Sequence, residues 1–483
     1  MIKQRLITLC RVLGMLLILE AGFMLLSLGV AIIYKGNDIV PLLISTIITL
    51  FVGLFLRIPV IGKDILQIDR KLGFLIVALI WLIMSIFGAL PYFFGGYIPN
   101  YANAFFETMS GFTTTSATII EDVEIIPKGI LFWRSLTNWI GGIGIVVIVI
   151  SFIPFIGGGG MALFSAEVNG PHKNKLSPHI TTTAKIIISI YTSLTIIAAL
   201  LLWIGGMTLF DAICHAFSTL SSGGFSTKNT SITLYSPLIQ YLLIIFMIPS
   251  GINFPIMYYA LKGRFKKIIV NEEFKAYIYI IIISTILIFL LVYNTHLGLE
   301  ATFRHSLFQV VSIITSAGFV SMDYTNWGVS ASLILFLLMF SGAMSGSTTG
   351  GLKIIRVLVL FKNAKNVIHQ NLHKNAYLPL KFEKKVIDQR VINNVLGMFL
   401  LYLATFIVAV LLLVGVGVGF EEAVGGSISC LSNMGTGFGE IGAFGNYGEL
   451  SWSAKAIFVS LMYVGRLELV TVFALFMPAF WKN

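Results

Sequence analysis

Charged residues are scarce in this chain. Only 11% of its 483 residues are Asp, Glu, Lys or Arg, whereas 57% are apolar and the mean hydropathy is +0.93. Because a water-facing surface needs roughly 25 to 35% charged residues, this composition excludes a set of soluble domains. Most of the outer surface must face lipid, so the sequence predicts an all-α polytopic membrane protein.

Cysteine is also scarce. The three cysteines, Cys10, Cys214 and Cys430, lie in apolar segments without CxxC or Cys/His spacing. This pattern predicts neither a disulfide scaffold nor a zinc site. The acidic and histidine residues are scattered, whereas a membrane enzyme needs a set that converges on one membrane face. The sequence therefore predicts a protein that is not an enzyme.

Long apolar runs are abundant. The first follows basic residues, but it lacks a small-residue cleavage site and leads directly into the second, so we interpret it as a retained anchor and not a signal peptide. Ten runs reach about the 20 residues that cross a bilayer core, namely 12–34, 39–56, 73–94, 130–153, 186–206, 236–260, 274–293, 329–361, 391–415 and 453–478.

Basic residues divide the connections between these spans into two sets. One set holds 25 Lys/Arg and 7 Asp/Glu, and the rest of the chain holds 7 and 14. Positive charge favours the cytoplasmic side, so we predict a cytoplasmic location for the N-terminus, 57–72, 157–185, 262–275, 353–390 and the C-terminus. The basic residues form no stripe, so nucleic-acid binding is not predicted. The acidic outer face would concentrate cations, although simple depletion of Lys/Arg from outer loops is the alternative explanation.

The chain contains a fourfold internal repeat. After two N-terminal spans (1–72), eight spans pair into four units, 73–185, 186–273, 274–390 and 391–483. Each pair is joined on the outer side by an apolar repeat segment, which reads FFETMSGFTTTSAT (105–118), CHAFSTLSSGGFST (214–227), LFQVVSIITSAGFV (307–320) or GGSISCLSNMGTGF (425–438). Repetition of one pattern in four successive units indicates internal duplication.

The four repeat segments align at small residues. The residues set in register, here called the register residues, are Ser116, Gly224, Gly318 and Gly435. Six positions upstream lie Ser110, Ser218, Ser312 and Ser429, and two positions upstream lie Thr114, Ser222, Ser316 and Asn433. Each unit therefore reads as a span, a short helix, a small-residue turn and a second span.

Four such turns require a shared interior. Non-helical backbone at membrane depth is tolerated only where it is buried in protein or lines a water-filled path. Four units around one axis would bring their backbone carbonyls together, and each short helix would point its negative C-terminal end at that place. This arrangement suits dehydrated monovalent cations.

The sequence resembles the TrkH/KtrB/HKT superfamily of potassium transporters over nearly its whole length, and is most similar to the TrkH type. The resemblance rests on GFTTTSAT, SSGGFST, TSAGF and NMGTGFGE in this order, on the C-terminal YVGRLELVTVF, and on the two additional N-terminal spans. It implies four span/pore-loop/span units around a pseudo-fourfold pore, and a selectivity filter formed by Thr115, Ser116, Gly223, Gly224, Ala317, Gly318, Met434 and Gly435.

Ser116 departs from the glycine that the family commonly has. In plant HKT relatives, serine at this position is associated with sodium permeation, which implies relaxed selectivity. Three remaining glycines keep most of the carbonyl ring, and the serine hydroxyl is itself able to coordinate potassium. We therefore expect potassium as the main ion, with some passage of sodium.

A small-residue segment interrupts the eighth span. It consists of Ser341, Gly342, Ala343, Met344, Ser345, Gly346, Ser347, Thr348, Thr349, Gly350 and Gly351. Packing between helices through GxxxG is one interpretation, and the resemblance implies another, an intramembrane gate below the filter. Arg466, in the last span, is costly in lipid. It either forms a structural Arg–Glu pair or, as the resemblance implies, lies in the pore next to the gate.

The resemblance also implies partners. The chain carries no nucleotide-binding module and no cofactor of its own, so nucleotide control would come from a TrkA-type cytosolic ring, with 262–275 and 353–390 as docking surfaces. It further implies a homodimer in a bacterial or archaeal plasma (inner) membrane, with both termini cytoplasmic. Gated potassium uptake through a pore is the leading hypothesis, and an alternating-access transporter or a sodium/potassium-nonselective permease is the alternative. Alternating access usually involves inverted repeats, whereas these repeats share one orientation.

Overall fold

The computed structural model describes residues 2–58, 70–144, 180–293, 298–373, 378–383 and 385–481. The segments 59–69 and 145–179, which include the second part of the span predicted at 130–153, lie outside the described residues. In the residues that the structure describes, the fold is helical, with one two-stranded antiparallel hairpin formed by Lys381–Phe382 and Lys385–Val386. The prediction of an all-α polytopic membrane protein is confirmed in fold class.

The helices follow the order of the repeat. The N-terminal pair is α1 (Ile2–Tyr34) and α2 (Ile39–Arg57). The first unit contains α3 (Arg70–Gly88), α4 (Leu90–Phe94), α5 (Tyr101–Phe112) and α6 (Lys128–Ile143). The second contains α7 (Ile180–Ile204), α8 (Leu209–Leu220), α9 (Pro237–Ser250), α10 (Phe254–Leu261) and α11 (Phe265–Val270).

The third and fourth units continue the pattern. The third contains α12 (Glu272–Val292), α13 (Leu299–Ile314), α14 (Val329–Phe340) and α15 (Ile354–Leu372). The fourth contains α16 (Gln389–Gly415), α17 (Phe420–Leu431), α18 (Trp452–Leu467), α19 (Leu469–Phe476) and α20 (Pro478–Trp481). Short 3-10 turns lie at Thr325–Trp327 and Gly439–Ile441.

Six helices in the described part are long and apolar enough to cross a membrane, and two bent pairs raise the number to eight. They correspond to eight of the ten predicted spans. Of the other two, one reaches only Ile143 within the described residues, and the span predicted at 329–361 is divided between α14 and α15. That division agrees with the predicted interruption.

Two spans are sharply bent. The span predicted at 236–260 is divided between α9 and α10, which meet at 109°. Pro249 cannot donate to the helical ladder, and the Asn253 side chain caps the new helix by accepting from Ile256 N at 2.9 Å. The last span, expected to be continuous over 453–478, instead breaks between α18 and α19 at 111°. Glu468 has φ +60° there, which a right-handed helix cannot accommodate.

The four short helices α5, α8, α13 and α17 form the centre of the molecule. Their C-terminal halves are buried, and each ends at a hydroxyl residue that donates back to a helix carbonyl. These bonds run from Thr113 Oγ1 to Met109 O (2.7 Å), Ser221 Oγ to Ser218 O (3.0 Å), Thr315 Oγ1 to Val311 O (2.6 Å) and Ser432 Oγ to Ile428 O (2.7 Å). Each of these carbonyls also accepts from a backbone N–H, so the hydroxyl adds a second hydrogen bond at the end of its helix.

Candidate functional site

The turns after the four short helices share one hydrogen-bond pattern. In each, the backbone carbonyl of the repeated serine accepts from the residue before the register residue. The donors are Thr115 N to Ser110 O (2.9 Å), Gly223 N to Ser218 O (2.9 Å), Ala317 N to Ser312 O (2.8 Å) and Met434 N to Ser429 O (2.9 Å). The alignment of the repeat segments therefore corresponds to equivalent backbone positions.

Backbone dihedrals repeat as well. The residues two positions before the register residues all adopt left-handed φ, with Thr114 at 55°, Ser222 at 58°, Ser316 at 53° and Asn433 at 55°. Non-glycine residues adopt this region at a cost of roughly 1–2 kcal/mol each. The same strained turn occurs in all four units, so it is a feature of the repeat and not of one unit.

The four turns close into a ring. A Cβ added at each of the three register glycines would collide with a carbonyl oxygen of the next unit, because real Cβ contacts are essentially never shorter than 3.0 Å. The distances would be 2.4 Å from Gly224 to Ala317 O, 2.2 Å from Gly318 to Met434 O and 2.1 Å from Gly435 to Thr115 O. Only glycine fits at these positions, which brings backbone carbonyls of successive units to one place.

Ser116 forms the fourth junction. It has φ +60° and occupies the position that the other units give to glycine. Its Oγ accepts from Gly224 N at 2.8 Å and from Asn138 Nδ2 at 2.8 Å. A side chain therefore joins the first and second units. At the other three junctions a register glycine lies against a carbonyl oxygen of the next unit.

Further side chains brace the ring from outside. Asn433 Nδ2 donates to Thr115 Oγ1 at 3.0 Å and to Met462 O at 2.9 Å, which connects the fourth unit to the first. Tyr447 donates its hydroxyl to Gly435 O at 3.0 Å. These bonds orient the turns and support the close approach of the backbones.

A buried ion pair lies behind the first turn. Arg134 Nε donates to Glu107 Oε1 at 2.7 Å, with the two side chains 3% and 0% exposed. Arg134 Nη1 also donates to Ser226 O at 3.1 Å, and Glu107 accepts from Ile119 N at 2.9 Å. The pair joins the chain leaving the first turn to that leaving the second. Sequence reasoning missed it, although two ionisable residues inside apolar runs are an available signal.

A cavity of about 110 Å³ lies on the outer side of the ring. All four register residues line it, and Glu121, Lys228, Asn229 and Asn446 also contribute. Polar side chains and backbone therefore line a cavity between the register residues and the loops that follow the turns.

The small-residue segment forms a loop whose ends are held together. Gly342 N donates to Leu352 O at 2.8 Å, and Leu352 N donates to Phe340 O at 3.2 Å. Gly346 and Gly351 have φ of 79° and 72°. The segment is not helical, so its glycines do not form a helix-packing GxxxG surface.

This loop contacts the turns of the ring. Thr348 Oγ1 lies 2.6 Å from Ser222 Oγ in the second unit. A Cβ on Gly350 would lie 2.2 Å from Ser432 O, immediately before the turn of the fourth unit. The loop therefore lies against the ring at the residues that precede the register residues, opposite the outer cavity.

Arg466 bridges the loop and the first turn. Its Nη1 donates to Thr348 O at 2.8 Å and to Thr114 Oγ1 at 3.1 Å, and its Nη2 donates to Gly141 O. Glu468, the acidic residue two positions further on, pairs with Arg356 at 2.8 Å. Arg466 thus lies where the small-residue segment meets the ring.

Glu273 holds the base of the loop. It is 3% exposed, and its Oε1 accepts from Ser345 N at 2.7 Å and from Ile355 N at 3.2 Å. One carboxylate therefore bonds backbone inside the loop and backbone at the start of α15. Sequence reasoning placed Glu273 in a cytoplasmic connection and missed this contact, because nothing in the local pattern relates it to residues 72 and 82 positions away.

Comparison with known proteins agrees with this architecture. The family TrkH, described as a cation transport protein, matches residues 43–483. This chain belongs to the TrkH family. A Trk system potassium uptake protein TrkH of Salmonella typhimurium is 37% identical, with 98% of this chain and 99% of the relative aligned. TrkG of Escherichia coli is 33% identical over 97% of each chain.

A solved structure shares the TrkH-family fold. The crystal structure of the potassium transporter TrkH from Vibrio parahaemolyticus matches with a TM-score of 0.88 and 33% identity, covering 99% of both chains. The expected superfamily is thereby confirmed, and so is the architecture of membrane-spanning helices with bent pairs.

Proposed function

We propose that this protein takes up potassium through a pore whose selectivity filter is formed by the four turns. The closed ring carries the proposal, because three glycines admit neighbouring carbonyl oxygens that no side chain would tolerate. Such carbonyls replace the hydration shell of a dehydrated cation. The names of the potassium uptake relatives support potassium as the ion.

The direction of transport follows from the membrane potential. Moving one positive charge inward yields about 2.3 kcal/mol per 100 mV, so an inside-negative membrane accumulates potassium without a coupled ion. The acidic outer residues and the outer cavity supply the entrance.

The proposal also includes the organisation of the chain in the membrane. It places the domain boundaries at 72, 185, 273 and 390, the protein in the inner membrane, and both termini in the cytoplasm.

The small-residue segment with Arg466 is proposed as the gate. Arg466 places a positive charge at the inner side of the ring, where its repulsion of a cation is weakly screened. Supporting contacts are those of Thr348 and Arg466 described above. Opening requires the segment to leave the ring, and the segment leads directly into 353–390, which begins with α15.

A cytosolic nucleotide-binding regulator and a homodimer complete the proposal. Residues 261–267 are exposed and contain four basic side chains, Lys262, Arg264, Lys266 and Lys267, which offers a surface for an acidic partner. Ordinary positive-inside topology explains the same charges. Binding of a purified TrkA-type ring to the protein in nanodiscs, with and without these charges, decides between the two.

Flux measurements in proteoliposomes test the function. Potassium, rubidium, sodium and lithium are offered in turn, and we expect potassium and rubidium to pass faster than lithium. Gly224→Val should abolish flux or its selectivity, whereas Gly397→Val is the matched control, because a Cβ there meets nothing within 4 Å. Flux that requires a proton or sodium gradient would contradict the pore.

A further inference from the structure

The amide of Asn138 contacts Ser116, the one register residue that is not glycine. Asn138 lies in α6 and is 0% exposed. Its Nδ2 donates to Ser116 Oγ at 2.8 Å, while the side chain packs so tightly on the second turn that a Cβ on Gly223 would lie 2.4 Å from Nδ2. It therefore contacts both turns at the junction between the first and second units.

The two hydrogen bonds occupy the acceptor capacity of the serine hydroxyl. A serine oxygen has two lone pairs, and Ser116 Oγ accepts from Gly224 N and from Asn138 Nδ2. Neither lone pair is then left for a cation. The hydroxyl that the sequence suggests as an additional ion ligand is instead used to join two units.

We propose that Asn138 is a specificity-determining residue, which keeps the Ser116 hydroxyl out of the ion path and so preserves potassium selectivity. This inference rests on the proposed filter. Without the Asn138 donor, one lone pair of Ser116 is free to turn towards a passing ion. An oxygen on a mobile side chain adapts to a small cation more easily than a carbonyl fixed in a turn, so sodium passage should rise.

The test compares four proteins in proteoliposomes: the unchanged chain, Asn138→Leu, Ser116→Gly and the double variant. We expect Asn138→Leu to raise the sodium-to-potassium permeability ratio roughly three- to tenfold, the equivalent of one buried hydrogen bond. In the Ser116→Gly background the same change should leave the ratio nearly unaltered, because no hydroxyl remains to be released.

Controls separate this role from packing. Thr137→Val removes a neighbouring buried hydroxyl that bonds its own helix, at Arg134 O, and should leave the ratio unchanged. If Asn138→Leu does not fold, as judged by gel filtration and thermal unfolding, Asn138→Ala replaces it. Equal changes with and without the Ser116→Gly substitution, or no change in either background, overturn the inference while the filter stands. Absence of potassium flux in the unchanged protein overturns the proposed function as well.

Discussion

Replacing Gly318 with alanine is the sharpest test of the ring. The added Cβ would lie 2.2 Å from Met434 O, whereas real contacts begin near 3.0 Å. The difference requires the carbonyl or the turn to move by at least about 0.8 Å. Gly318 also has φ +67°, where a side chain costs roughly 1–2 kcal/mol. That strain alone corresponds to a factor of about 5–30 in an equilibrium between intact and distorted rings.

Two matched variants separate clash from strain. Gly328 has φ +86° and nothing within 4 Å of an added Cβ, so Gly328→Ala carries the strain without the clash. Gly224 lies outside the left-handed region, but its Cβ would lie 2.4 Å from Ala317 O, so Gly224→Ala carries the clash alone.

The measurement is rubidium uptake and the sodium-to-potassium ratio in proteoliposomes of equal protein content. We expect Gly318→Ala to lose at least about fivefold in uptake, in line with the strain above, and Gly224→Ala to lose uptake or selectivity. Gly328→Ala should keep both and lose only thermal stability. If Gly318→Ala and Gly224→Ala both transport like the unchanged protein, the turns do not form the filter.

Further predictions concern the proposed gate and one buried ion pair. Arg466→Ala should raise basal flux, because it removes both the positive charge and a bond to the loop; a folded but inactive variant would favour a structural role. Deleting residues 344–349 should also raise basal flux and weaken control by a partner, and unchanged flux in a folded protein would make the segment a packing element. Glu273→Ala should raise basal flux. Glu272→Ala should not, because Glu272 lies in the same helix but is less buried; equal flux in the two variants would contradict the role of Glu273 in holding the loop. Glu107→Ala should lower the free energy of unfolding by about 3–5 kcal/mol, because it leaves Arg134 buried without its carboxylate, and a loss below about 1 kcal/mol in chemical denaturation would refute this.

Several features of the protein could be predicted from the sequence because they depend on local pattern. Apolar length and charge identify membrane spans, and the repeated serine and small residues identify equivalent turns. The bend between α9 and α10 follows from covalent geometry, since Pro249 has no N–H. The break at Glu468 does not, because glutamate has no intrinsic preference for φ +60°, and only surrounding contacts such as the bond to Arg356 hold it there.

Three features can be read from the sequence alone: the membrane location, the fourfold repeat and the identity of the residues in the turns. Hydropathy, charge and repetition are properties of neighbouring residues and need no tertiary contact. The bonds of Ser116 to Gly224 and Asn138, and the contact by which Glu273 holds the small-residue segment, depend on tertiary packing. These contacts join residues that are 108, 22 and 72 positions apart, and their geometry depends on how whole units pack around a common axis.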